Sequence, residues 1–149
     1  MRILTLLAGG EALPDVVRLT DEIREFNSEI DFRLRFLHIE IEEIYALPPG
    51  LRGQLEQSVA RAEVREVDAA DPLEAAARLA LLLSRERPDV VIVAGDGVLH
   101  KAGVAAARVC GTKLAFYGPS RGSAEGALDL GAEPRAAVER LTGVARVSD

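Results

Sequence analysis

Three short segments hold most of the side chains whose types and spacing suit chemistry. Gly9-Gly10-Glu11 closes one apolar run, Gly95-Asp96-Gly97 closes another, and Pro119-Ser120-Arg121-Gly122 follows a third. Asp96 is the centre of interest. A carboxylate between a buried strand and a helix can accept hydrogen bonds from sugar hydroxyls or act as a general base. Asp is also among the best helix N-caps, and the two roles are compatible. Gly9, Gly10, Gly95 and Gly97 let a ligand approach the backbone, and the helix starts beyond them favour anions such as phosphate. Tight strand–helix turns call for glycine on their own account, and this spacing does not fit G-x-G-x-x-G.

Around these turns stand the other candidates. Glu11 follows the first glycine pair. His100 and Lys101 fall in the first turn of the helix after Gly97. Lys101 can meet a phosphate as a point charge, and solvated surface is the plain alternative for both. Arg121 can bind phosphate bidentately, with Ser120 and Ser123 as donors and Glu125 as a carboxylate partner. The alternative for that loop is a helix start capped by serine. His38 ends an alternating segment on its Phe36 side, from which it can point into the same crevice, although a lone His there is more often a half-buried structural residue. No second His or Cys sits at metal-ligand spacing, so the expectation is no metal site and no cofactor. Glu40, Glu42 and Glu43 read as a solvated acidic loop rather than a cation site. Cys110 reads as a small buried hydrophobe.

The elements that must position these groups alternate strand and helix. Arg2–Gly9 and Asp89–Ala94 are continuous apolar runs, as in strands buried on both faces of a parallel sheet. Helices are expected over Pro14–Phe26, Leu51–Arg61, Asp71–Arg87, Val98–Cys110 and Glu133–Leu141, with a further helical stretch at Ser123–Leu130. Asp71-Pro72-Leu73-Glu74 carries an N-cap, an N1 proline and a capping-box acid. The stripe Leu73, Ala76, Ala77, Ala80, Leu81 and Ser84 is expected to face the core. So is Val98, Ala102, Ala105, Ala106 and Val109 on the next helix, closed by Gly111. Asp31–Ile39 alternates as a half-exposed strand, Glu40–Gly50 reads as irregular, and Glu63–Asp68 as a charged edge strand. Lys113–Tyr117 is a strand and Val144–Val147 a last short one.

This pattern predicts a three-layer, doubly wound, mainly parallel α/β sheet of the Rossmann-like class, one domain over residues 1–149. The first strand and the one after Pro88 should be neighbours at the sheet centre, where strand order reverses and ligands bind. The size suits one core, with 149 residues of which 48% are hydrophobic and 4% aromatic. A single cysteine excludes an internal disulfide and points to a reducing, cytoplasmic setting. The net charge of −6, with arginines scattered among acids, argues against nucleic acid. No long apolar run calls for a membrane, and the opening run reads as a strand rather than a leader. Abundant Glu and Arg with little Asn, Gln, Met or Cys hint at a thermophilic source.

Two stretches carry a family resemblance. Met1–Pro14, MRILTLLAGGEALP, and Arg87–Gly97, RPDVVIVAGDG, resemble the corresponding parts of the UDP-N-acetylglucosamine 2-epimerases. In that family Lys-Pro-Asp precedes an apolar strand that ends in His-Gly-Asp. The resemblance implies the amino-terminal Rossmann-like half of a two-half fold, with Asp96 matching the cleft aspartate linked to catalysis. The chain departs from the family twice. The arginine of the family's Thr-Arg-Pro-Glu loop is absent at Gly10-Glu11-Ala12. The glutamate of Val-Glu-Ala-Gly-Leu-Arg is absent at Tyr117–Arg121, where Arg121 alone stands for the arginine. The resemblance therefore implies a nucleotide or nucleotide-sugar binding domain, isomerase-like if active, rather than a complete epimerase. A second chain or a homodimer partner would close the cleft. The alternatives are an oligomeric scaffold with a vestigial cleft, and a small enzyme completed by a second copy.

Overall fold

The computed structural model describes residues 1–30, 33, 38–46, 52–58, 63–66, 71–95, 98–119 and 126–143. Its centre is the pair of strands that the apolar runs specify, β1 (Arg2–Leu7) and β4 (Val90–Ala94). Between them in sequence come α1 (Leu13–Glu29), β2 (Glu40–Ala46), α2 (Arg52–Ser58), β3 (Glu63–Glu66) and α3 (Pro72–Glu86). After β4 follow α4 (Val98–Cys110), β5 (Lys113–Tyr117), β6 (Leu128–Asp129) and α5 (Pro134–Thr142). The six strands form one parallel sheet in the order β3-β2-β1-β4-β5-β6. The chain winds outward from β1 to β3, crosses back to β4, and winds outward the other way. That is the doubly wound, Rossmann-like arrangement, with the reversal between β1 and β4.

Both faces of the central strands are buried, which is why their sequences read as continuous apolar runs. Leu4, Leu6, Val91 and Val93 pack with Ala75, Leu79 and Leu83 of α3 and Ala102, Ala106 and Ala107 of α4. Ile3, Val90 and Ile92 pack with Leu19, Ile23 and Phe26 of α1 and Ala137, Val138 and Leu141 of α5. Each fully buried Leu, Ile or Val contributes roughly 1.5–3 kcal/mol of transfer free energy. Gly103 lets α4 sit close to the sheet, since a Cβ there would lie 3.1 Å from Leu6 Cδ1 and 3.4 Å from Val93 Cγ2.

The helix ends follow their sequence signals. Asp71 accepts a hydrogen bond from the Glu74 amide at 2.8 Å, and Pro72 opens α3. Glu133 caps α5 by accepting from the amides of Arg135 and Ala136. Gly111, at φ +66°, ends α4, and the Thr112 amide reaches back to Ala107 O at 2.9 Å.

Four expectations are corrected. A strand runs over Glu40–Ala46, so Glu40, Glu42 and Glu43 lie on β2 rather than in a loop, while the strand expected at 31–39 falls mostly outside the described residues. The register explains why β2 does not read as a strand: Ile3 pairs with Ile41 but Thr5 with Ile44, so one extra residue breaks the alternation of β2. On α3 Ala76 and Ala80 pack against the core as expected, beside the buried Ala75, Leu79, Leu82 and Leu83, while Leu73, Ala77, Leu81 and Ser84 are exposed. On α4 the core-facing residues are Ala102, Gly103, Ala106 and Ala107, while Ala105 and Val109 face outward. Leu128–Asp129 is the edge strand β6, not part of a helix. The remaining expectations at 144–147 and 123–125 lie outside the described residues.

Candidate functional site

The carboxyl ends of the three central strands finish in one row. Leu7 pairs with Ala94 and Ala94 with Tyr117, so the turns at residues 8, 95 and 118 leave the same edge of the sheet. The Ala8 amide donates to Ala94 O at 2.8 Å and extends the β1–β4 ladder into those turns. Gly9 then runs extended, Gly10–Ala12 makes one 3-10 turn, and α1 begins with Pro14 in its first turn. On the other side Gly95 has φ +97°, a conformation open to glycine and strained for other residues. A Cβ on Gly95 would lie 2.6 Å from Gly9 N and 3.3 Å from Ala12 Cβ. The two turns therefore touch backbone to backbone at the point where the sheet reverses.

The structure places the expected side chains unequally. Gly9, Gly10, Glu11, Gly95, His100 and Lys101 stand at this edge. Asp96, Gly97, Ser120, Arg121 and Glu125 lie outside the described residues. Glu11 is exposed, and its carboxylate lies over the Cα of Gly9. Lys101 is exposed in the first turn of α4. His100 is half-buried, not solvated surface: its ring stacks on Phe116 with centroids 5.0 Å apart. His38 does not reach this edge. Its carbonyl accepts from the amino terminus at 2.9 Å, which puts its backbone at the opposite, amino end of β1. Among the described residues no three His, Cys, Asp or Glu side chains gather to hold a metal ion.

A polar group that sequence reasoning passed over flanks the same edge on the α1/α5 side. Asp15, in the first turn of α1, is buried and accepts from Arg18 at 2.7 Å. The Tyr117 hydroxyl, at the end of β5, donates to Ala132 O at 3.4 Å. Burial, the largest cause, and the nearby Asp15 and Glu133 charges together push the Tyr117 hydroxyl up to about 12, with Arg18 pulling against them. Asp15 and Arg18 are legible as an i,i+3 pair, but nothing in the sequence places Tyr117 beside them.

No family model and no curated protein matches the chain. Solved structures do. The UDP-GlcNAc 2-epimerase of Neisseria meningitidis bound to UDP-GlcNAc superposes with a TM-score of 0.59 at 16% identity, over 78% of this chain and 32% of that one. The UDP-GlcNAc 2-epimerase of Methanocaldococcus jannaschii gives 0.55 at 18% identity, over 78% and 31%. The S. aureus MnaA–UDP structure gives 0.57 at 16% identity, over 78% and 30%. The expected resemblance thus holds for the fold, and this chain spans about a third of the length of each of those proteins.

Proposed function

We propose that this chain is an epimerase-like domain that binds a nucleotide or nucleotide sugar over the carboxyl ends of β1 and β4, and is not a complete epimerase by itself. The observation that carries the reading is the contact of Gly9 with Gly95 at the winding reversal, on a fold shared with structures whose names record UDP-GlcNAc and UDP. Open α/β sheets bind ligands at that point.

On this reading the bare backbone at Gly9, Gly10, Gly95 and Gly97 admits the diphosphate, and the first turn of α4, with Lys101, meets its charge. Ser120 and Arg121 supply further phosphate contacts. Asp96 accepts hydrogen bonds from sugar hydroxyls and, in an isomerase-type reaction, is the general base. His100 supports the first turn of α4 through its stack on Phe116. Glu11, an acid on the phosphate side, orients ribose or sugar hydroxyls rather than the anion. A second chain or a second copy covers the open side of the cleft, and one cysteine suits work in the reducing cytoplasm.

Thermal-shift titration with UDP, UDP-GlcNAc and other nucleotides tests this. Ligand at a hundred times its Kd adds about 2.7 kcal/mol of stability. Asp96→Asn and Lys101→Gln should weaken the shift. No shift with any nucleotide would overturn the reading. The scaffold alternative is favoured by one observation, the exposed apolar residues of α3 and α4, and it predicts that negative result.

A further inference from the structure

A cavity of about 620 Å³ opens at the amino ends of β4 and β5, at the opposite end of the strands from the Gly9–Gly95 edge. That volume falls within the range of small-molecule sites. Two helix ends and two strand starts build it. Arg87 comes from the end of α3, Asp89 from the turn into β4, Cys110 from the end of α4, and Lys113 from the start of β5. Leu83 and Pro88, both buried, give it an apolar patch.

The lining carries both signs of charge. The Arg87 guanidinium spends Nε on Ser84 O at 3.4 Å, and its terminal nitrogens make no hydrogen bond or ion pair among the described residues; nor does Lys113. Arg87 holds φ +48°, the one positive value outside glycine among the described residues, at a helix end where glycine is the usual choice. Against these cations stands Asp89. Its Oδ2 accepts from the Arg2 amide at 2.7 Å, which fixes the carboxylate and leaves Oδ1 without a hydrogen bond among the described residues. α3 and α4 both end here, and each helix end carries roughly half a negative charge on its closing carbonyls. Outside the lining, Glu86 is shared by Arg2 and Arg85, and Arg108 is exposed in the last turn of α4. A simple cation entering the cavity would meet Arg87 and Lys113, and a simple anion would meet Asp89 and the carbonyl ends. A small molecule that carries both signs satisfies both poles. We infer that this cavity is a second ligand site, separate from the proposed cleft, for a free α-amino acid: its carboxylate meets Arg87 and Lys113, its ammonium meets Asp89 Oδ1 and the closing carbonyls, and its side chain lies against Leu83 and Pro88.

Nitrogen–proton correlation NMR of the labelled chain with L-leucine and L-glutamate tests it. Isocaproate, which is leucine without the ammonium, and isoamylamine, which is leucine without the carboxylate, are the comparisons. An amino acid should give saturable shifts at the amides of Arg87, Asp89, Gly111 and Lys113, with Gly9 and Gly95 unmoved. Each comparison compound lacks one charged contact and should bind about tenfold more weakly or worse. Arg87→Gly removes the guanidinium at a φ that glycine adopts readily, and Asp89→Asn keeps an acceptor for the Arg2 amide. Each should weaken amino-acid binding about tenfold with unchanged circular dichroism. No shift with either amino acid at concentrations on the order of 10 mM would overturn the inference. So would isocaproate binding as well as L-leucine, which marks a plain anion site, or full affinity in both variants.

Discussion

A side chain on Gly95 would begin 2.6 Å from the backbone nitrogen of Gly9. That contact ties the turn after the first strand to the turn after the fourth, across 86 positions of sequence, and leaves bare backbone where the sheet changes its winding direction. It explains why glycine stands at 95, where the 3-10 turn also brings Ala12 Cβ within 3.3 Å of the same spot.

Gly95→Ala should therefore destabilise the protein strongly. Strain at φ +97° contributes about 1–3 kcal/mol. Collision with the Gly9 backbone, which cannot swing aside as a flexible side chain would, adds a similar amount. Gly111→Ala is the control. It carries φ +66° but has open space around it, so it should lose only about 1 kcal/mol. Urea denaturation of the two variants measures the difference, and equal losses would mean that the two turns do not interlock.

Tyr117 gives a pH signature. Its hydroxyl is raised to about 12 in the folded chain, against 10 in the unfolded one. The folded state then holds its proton more tightly. The stabilisation is fully present below pH 10 and is lost as pH rises from 10 towards 12. Ultraviolet titration should show Tyr117 ionising well above a normal tyrosine. Asp15→Asn should move that step down only part of the way, because burial is the larger cause. A normal titration in the folded wild type would contradict the buried position of the ring.

The caps of α3 and α5 are separable from the cleft. Asp71→Ala and Glu133→Ala each remove a side chain that accepts from first-turn amides, and each should lower stability by about 1 kcal/mol. Neither should change nucleotide affinity by more than about twofold, as ligand titration would show. A tenfold loss with Glu133→Ala would instead bring the α1/α5 polar group into the binding surface.

Much of this architecture was legible because local signals and burial agree. Arg2–Leu7 and Val90–Ala94 are apolar throughout since both faces are covered, and Asp71-Pro72 and Glu133-Pro134 mark helix starts by capping chemistry. The second strand was not legible, because the extra residue between Ile41 and Ile44 breaks its period and acids fill the positions beside them. The faces of α3 and α4 were legible only in part, with Ala76, Ala80, Ala102 and Ala106 on the core side as expected and Leu73, Leu81 and Val109 not, for another reason. The run Leu79–Leu83 and the alanines of α4 surround their helices with small or apolar residues, so spacing alone does not fix which side meets the sheet. Of the site, the glycine turns and their shared edge followed from strand order. The burial of His100 against Phe116, the exile of His38 to the amino end, and the Asp15–Tyr117 neighbourhood depend on tertiary packing that no local pattern encodes.

The most direct test of the proposed cleft is nitrogen–proton correlation NMR of the labelled chain during titration with UDP and then UDP-GlcNAc. The account predicts saturable shifts concentrated at the amides of Gly9, Gly10, Glu11, Gly95 and Lys101, with the amino-end residues Arg87, Asp89 and Lys113 unmoved. Shifts confined to that amino end, or no shifts with either ligand, would contradict it.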